Sequence, residues 1–418
     1  MVPLPANPEM VSALAYLRTP TAIRERSEAI LEAGLAGTLE HFSVNLPKLE
    51  EVARHVATVT RRRYPDLDIP LHSRWAHFGA GGVDRLARLR ERLSAVSADC
   101  EERVRAHLDL VVVSVLLDAG AGPTWRYREA ATGLVCRRSE GLAVATLHAF
   151  LEGRFSSDPA HPMCADAAGL TALDEIALGQ AMQVEDDNPL AGLAGRTELL
   201  RRLAAALQAA PDLFGAESPR PGYLFDALRR QVGGDSFAAE DLLGTVLGGL
   251  GAIWPGRLEL GGVNLGDAWH HPAAGGSGPG EGLVPFHKLT QWLVYSLVEP
   301  LAEGGLHIDG LAEMTGLAEY RNGGLFVDHG VLEPRHPDVT GQVHEPGALA
   351  VVEWRALTVA LLERLRPLLA TRLGLDESTF PAAKVLEGGT WAAGREIARA
   401  RRPDGGPPLS VRSDGTVF

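Results

Sequence analysis

PKLEEVARHVATVTRRRY, residues 47–64, carries the period of a helix. Leu49, Val52, Ala53, Val56 and Val59 recur at three- and four-residue spacing, which lines one apolar face. Pro47 opens the segment, where a missing N–H costs nothing because the first helical turn has no partner for it. Tyr64 and Pro65 close it.

The same period governs most of the chain. Thr19 and Pro20 start a helix that reaches about Gly34. Residues 83–93 and 101–118 read as further helices, the second with an apolar second half that crosses a core. The pattern then breaks. Residues 123–128 and 134–138 flank Ala-Ala-Thr-Gly and predict a small hairpin. Helices resume at 139–153, between a serine cap and a glycine stop, at 171–182, at 195–210, at 223–230 and at 238–250. Residues 255–282 are glycine-rich and too long for an ordinary connection. They are expected to form a mobile surface loop or to cover a site. A long helix over 284–302 follows, then a short one over 308–317 and a strand or irregular piece over 325–332. Residues 347–373 and 377–401 predict two long helices, the second interrupted near Pro381 and Gly388-Gly389. The tail, 409–418, reads as a hairpin about Asp-Gly.

No internal repeat and no strand–helix–strand alternation is present, which rejects a Rossmann fold and a TIM barrel. The expectation is a mainly α, multi-helical globular fold with a few small β-hairpins. Two regions are expected, 1–160 with the small hairpin and 161–418 with the main site.

Composition narrows the function classes. Of 418 residues, 45% are hydrophobic and 22% charged, values of a globular chain. A net charge of −13 argues against non-specific nucleic-acid binding but leaves room for a local phosphate pocket. The basic residues are almost all arginine, Lys48, Lys288 and Lys384 being the lysines. Cys100, Cys136 and Cys164 form no CxxC, which fits a reduced compartment. The N-terminal residues lack a signal-peptide pattern, and the apolar run 108–117 is interrupted by Asp109 and Ser114. A soluble cytoplasmic protein with no membrane partner is expected.

Phosphate-loop, dinucleotide, HExxH and GxSxG signatures are absent. The glycine clusters at 79–82 and 248–251 lack the framework those motifs need, so no cofactor is expected. His72 and His77, Asp267 with His270 and His271, and Asp158, His161 and Cys164 have spacings that specify no metal.

Three clusters concentrate polar chemistry. In VPFHKLTQWLVYSLVEP, residues 284–300, His287, Gln291 and Tyr295 lie four apart and share a helix face. Lys288, Trp292 and Glu299 form an adjacent strip. Such a polar row on an apolar helix either lines a ligand pocket or forms a solvated face. Farther on, Glu319, Tyr320 and Arg321 precede Asn322-Gly323-Gly324, expected to turn the chain sharply. Asp328 follows in an apolar setting. Glu319 or Asp328 can stabilise positive charge or activate water, and Arg321 can hold an anion. The alternative is an Arg–Glu pair that ties off a helix. In LLDAGAGPTWRYRE, Asp118 ends a helix and Trp125, Arg126 and Tyr127 begin the hairpin. Trp125 and Tyr127 share one strand face and Arg126 lies on the other, with Arg74 as a further anion ligand.

HSRWAHFGAGG, LLDAGAGPTWRY, RSEGLAVATLHAF, WHHP, PFHKLTQWLVYSLVEPL and GLAEYRNGGLFVD together resemble the uracil-catabolism protein 4 family over nearly the whole chain. The resemblance implies a pathway that degrades uracil through ribosylurea-type intermediates, beside a ring-opening enzyme resembling GTP cyclohydrolase II. A second likeness is to queuosine-salvage nucleosidases, carried by His-Lys-Leu-Thr-Gln at 287–291 and Ala-Glu-Tyr-Arg at 318–321. Glu319 stands where those proteins carry Asp, which moves the charge by about one carbon–carbon bond.

Together these readings imply an N-glycoside hydrolase that cleaves ribosylurea, as its 5′-phosphate, to urea and ribose 5-phosphate. The expected catalytic residues are Glu319, Asp328 and Lys288. Lys288, His287 and Gln291 are the candidate proton donors. Arg321, Arg126 and Arg74 are candidates for the phosphate, and Trp125 and Tyr127 for the sugar or urea. His287, Gln291, Tyr295, Tyr320 and Asp118 complete the substrate-binding set. A small ribosyl or nucleotide-derived substrate and association with other uracil-catabolism enzymes are the expected partners. Two alternatives stand: a ureido-group amidohydrolase, with or without metal, and a non-catalytic accessory subunit of the ring-opening enzyme.

Overall fold

The computed structural model describes residues 6–96, 99–118, 120–254 and 257–412. The 47–64 segment forms the helix Leu49–Arg63 and buries Leu49, Val52, Ala53, Val56 and Val59, the face its spacing marks. That face packs on Leu349–Leu373, whose buried residues lie all around it, as expected of a helix inside a core. The second central helix is Cys100–Leu116, buried without interruption from Ala106 to Leu116. Lys288–Glu303 packs against it, and Pro20–Leu35 packs against Leu349–Leu373.

The fold is mainly α, with strands in short two-stranded pairs. The hairpin of Tyr127–Arg128 with Val135–Cys136 forms in the register Tyr127↔Cys136. Two other pairs join distant segments. Phe42–Val44 runs antiparallel to Leu332–Pro334, and Ser236–Ala238 runs parallel to His307–Asp309. Buried apolar side chains from Ile23 to Leu409, on both sides of residue 160, belong to one contiguous cluster.

Several local expectations are corrected. Residues 308–317 do not form a helix: His307–Asp309 is taken by the Ser236–Ala238 pairing, and Gly310 at φ 72° admits a single turn over Leu311–Glu313. Glu319 caps a helix, Tyr320–Asp328, in place of the expected sharp turn followed by a strand or irregular piece. Gly323 is there for packing, since a Cβ on it would come 2.6 Å from the Trp354 ring. Residues 257–282 are ordered by Glu259–Leu260 with Val263–Asn264 and by Ala268–His270, which pairs with Leu283–Pro285. The expected turn about Asp414 lies outside the described residues, and Ser410–Val411 pairs in parallel with Val343–His344. The C-terminal helix is broken where its glycines stand: a π turn, Leu386–Thr390, precedes Trp391–Arg401.

Candidate active site

The Lys288–Glu303 helix begins abruptly. His287 precedes it at φ 44°, and the Lys288 N–H donates to Asp267 Oδ2 at 3.0 Å. This lodges Lys288 in the first helical turn, facing a second helix start. Glu319 is the N-cap of Tyr320–Asp328, its Oε1 accepting from the Asn322 N–H at 3.1 Å. Burial lowers the Lys288 pKa, and Glu319 is the charge that opposes this most. Burial raises the Glu319 pKa, and Lys288, then His72, oppose it. Each residue is therefore the other's strongest charged neighbour.

His72 and His77 stand across from this pair. His72 Nδ1 lies 3.0 Å from Glu387 Oε2. Glu387 also accepts from the Tyr64 hydroxyl at 2.8 Å and from Arg63 Nη2 at 2.9 Å. Burial pushes Glu387 up, but His72, Tyr64 and Arg63 together hold it at about 2. His77 Nδ1 lies 3.2 Å from Arg74 Nη1 and 3.2 Å from Ser139 Oγ. Burial and then the Arg74 charge push His77 down to about 4. Ser139 donates to Asp118 Oδ2 at 2.6 Å, and Arg74 Nη1 reaches Asp118 Oδ1 at 3.2 Å.

These groups enclose a cavity of about 340 Å³. His72, His77, Asp118, Lys288 and Glu319 supply its polar wall, and Leu289, Trp292, Leu317, Tyr320 and Trp391 its apolar walls. Arg138, Glu140 and Arg321 also line it. Arg138 is exposed and holds a left-handed backbone, φ 55°, at the start of the Arg138–Leu151 helix. Arg321 lies over the Tyr320 ring at 4.8 Å and donates through Nη1 to the Gly405 carbonyl at 2.7 Å. The cavity size and its few convergent polar groups suit a small polar ligand.

Of the expected catalytic and substrate-binding set, five residues thus meet here: Lys288, Glu319, Tyr320, Arg321 and Asp118. The others do not line the cavity. His287 Nε2 is 2.9 Å from the Leu17 carbonyl. Gln291 donates to the Phe286 carbonyl at 3.0 Å and accepts from Thr315 Oγ1 at 3.1 Å. Tyr295 donates to the Thr315 carbonyl at 2.8 Å. This polar row is neither a pocket wall nor a solvated face; it is buried and satisfied, and ties the helix to its neighbours. Of the adjacent strip, Lys288 and Trp292 face the cavity, while Glu299 accepts from Ser73 Oγ at 2.9 Å.

Asp328 is bound by Arg402 at 2.7 and 2.6 Å, at the far end of the helix Glu319 caps, roughly 13 Å along the axis. Trp125 donates to the Met182 carbonyl at 3.0 Å, Tyr127 stacks on His148, and Arg126 pairs with Asp187. Arg74 is fully buried behind the wall, committed to Asp118, Ser114 and Ser139. From there it holds Asp118 and Ser139 in the wall.

Sequence reasoning misses Glu387, Arg138, Ser139 and Trp391 as site residues, and names His72 and His77 as metal candidates. The available signal was Gly388-Gly389 directly after Glu387 inside a helical pattern. It was read as an interruption, although wide turns within helices recur at functional sites. Among the described residues no three His, Cys, Asp or Glu side chains group as metal ligands. Among the same residues no helix is long and apolar enough to cross a membrane.

Fold and cavity together define a mainly helical protein built around a small-molecule-sized chamber with polar and apolar walls. The chain belongs to the family described as "Protein of unknown function (DUF1688)", whose model matches residues 16–418. It is 38% identical over 437 residues to Uracil catabolism protein 4 of Lachancea kluyveri, covering 97% of this chain and 99% of that one. It is 39% identical over 402 residues to Protein urg3 of Schizosaccharomyces pombe, covering 95% of this chain and 96% of the relative.

Proposed function

We propose that this chain acts in uracil catabolism, the process for which its Lachancea relative is named, by hydrolysing an N-glycosidic bond. The substrate is ribosylurea 5′-phosphate and the products are urea and ribose 5-phosphate. The observation that carries the reading is that Glu319 and Lys288, each the other's strongest charged neighbour, line one cavity.

Breaking the bond between C1′ and nitrogen leaves an oxocarbenium-like sugar. The Glu319 carboxylate stabilises that charge and aligns the attacking water. In a site walled by Trp292, Tyr320 and Trp391, such an interaction is stronger than in water. Lys288 opposes the burial that raises the Glu319 pKa and offers N–H donors to the sugar or the ureido oxygen. Arg138 and Arg321 receive the 5′-phosphate, in place of Arg74 and Arg126.

The test is an NMR time course of purified, chelator-treated protein with ribosylurea 5′-phosphate. Urea and ribose 5-phosphate are the expected products. Ammonia release would replace this reading with ureido hydrolysis. An unchanged substrate, with divalent metals restored, would leave the accessory-subunit reading in its place.

A further inference from the structure

The two cavity histidines lie with ring centroids 6.3 Å apart, and their partners give them opposite roles. A guanidinium can only donate, so Arg74 makes the His77 Nδ1 an acceptor and leaves the ring proton on Nε2. Held at about 4, His77 is a neutral, fixed donor near pH 7. His72 faces the reverse partner. The Glu387 carboxylate can only accept, so His72 Nδ1 carries a proton and Nε2 is the atom free to gain and lose one.

The backbone is built around this contact. Glu387 sits in the π turn Leu386–Thr390. A Cβ on the following Gly389 would come 2.8 Å from the Val56 carbonyl, so the bulge presses directly on Leu49–Arg63. The end of that helix supplies Arg63 and Tyr64, which hold the carboxylate. The His72 N–H is fixed on the Ala383 carbonyl at 3.1 Å, one short helix before Glu387. A carboxylate held by two further donors and aimed at one imidazole nitrogen is how proteins orient a proton-transfer histidine.

We infer that His72, oriented by Glu387, is the acid that protonates the leaving nitrogen in this cavity. The inference rests on the glycosidic reading given above. Urea departs poorly as an anion; the carboxylate and the rim arginines do not serve as its proton source, and Lys288 is engaged as the charge opposite Glu319. As the C1′–N bond breaks, its electron pair stays on nitrogen and takes the His72 Nε2 proton, so neutral urea leaves. Water adds its oxygen to C1′ and gives its proton through Glu319 to solvent, from which His72 is recharged. One water is consumed and nothing is oxidised or reduced. His72 is the catalytic residue of this step and Glu387 its positioning residue.

The test compares two leaving groups on full-length protein: ribosylurea 5′-phosphate, and β-ribosyl fluoride 5-phosphate, whose fluoride departs without a strong acid. His72→Gln should lose about 10²–10⁴-fold in kcat on the urea substrate and on the order of tenfold or less on the fluoride. Glu387→Gln should show the same split with a smaller loss. Retained fluoride hydrolysis shows that the variants are folded. Equal losses on both substrates, or none on either, would overturn the role of His72 while wild-type turnover upholds the glycosidic reading. A wild-type protein inactive on both substrates would overturn that reading and this inference together.

Discussion

The Asp267 carboxylate lies across the Arg355 guanidinium in a two-pronged contact, 2.7 Å from Nη1 and 2.8 Å from Nη2. Asp267 also receives the Trp269 indole N–H at 2.8 Å and the Lys288 backbone N–H at 3.0 Å. Burial works against the ionised form, but Arg355 and these donors hold the Asp267 carboxyl well below the usual carboxylate range. Arg355 Nε in turn approaches the Ala318 carbonyl, the residue before Glu319, at 3.5 Å. One buried ion pair thus links the helix start carrying Lys288 to the helix start carrying Glu319.

Breaking this link should be costly. Asp267→Asn leaves Arg355 buried without its charge partner, and a loss of about 3–5 kcal/mol is expected. Urea denaturation measures it. Arg355→Lys keeps the charge but loses the fork that matches both carboxylate oxygens, so it should restore little. A lysine variant as stable as wild type would mean that charge alone, not the two-pronged geometry, holds the segment.

Glu319 should matter to turnover far more than to binding. Under the glycosidic reading, Glu319→Ala lowers kcat by about 10²–10³-fold, the usual scale for removing a group that faces developing charge. The dissociation constant of ribose 5-phosphate, measured by calorimetry, should change little. Glu319→Asp retains the charge but shortens its reach and should fall between. Wild-type kcat in the alanine variant would remove Glu319 from the mechanism.

Acid stability tests the electrostatics of Glu387 without reference to activity. Its carboxyl is held at about 2 against an ordinary 4.5, so the unfolded chain binds this proton more readily. The stabilisation it supplies is complete above about pH 4.5 and fades as the pH falls toward 2. The free-energy gap between wild type and Glu387→Gln should accordingly narrow as the pH falls below about 4.5. A gap independent of pH down to about 3 would mean that Glu387 is not held ionised by His72, Tyr64 and Arg63.

How far these features could be read in advance depended on the kind of signal. Leu49–Arg63 and Cys100–Leu116 were legible because their burial follows side-chain period, a local property. Tyr320–Asp328 was not, because Asn322-Gly323-Gly324 is turn chemistry by composition, and the packing of Gly323 on Trp354 overrides it. Lys288 and Glu319 were identified as separate points on two motifs. What joins them, Asp267 and Arg355, comes from segments distant from both. The row His287, Gln291 and Tyr295 misled for a related reason: its partners are backbone carbonyls and a threonine that no spacing rule reveals. Glu387 was hidden because its role depends on a π turn.

The rim arginines give the last prediction. Arg138 lines the cavity and holds φ 55°, a left-handed backbone that glycine adopts without strain. Arg138→Gly therefore removes a cation while leaving the helix start intact. Arg321 lines the same cavity, and Arg395 lies over the Trp391 ring at 4.7 Å beside them, with Glu140 the carboxylate at this rim. If the rim receives a phosphate, Arg138→Gly should lower kcat/KM for ribosylurea 5′-phosphate by about 10–100-fold, matching 1.5–3 kcal/mol for a charged hydrogen bond. It should leave kcat/KM for unphosphorylated ribosylurea nearly unchanged. Added salt should weaken the wild-type preference for the phosphorylated form, because an exposed guanidinium is screened. Equal losses on the two substrates would show that Arg138 shapes the chamber and does not read a phosphate.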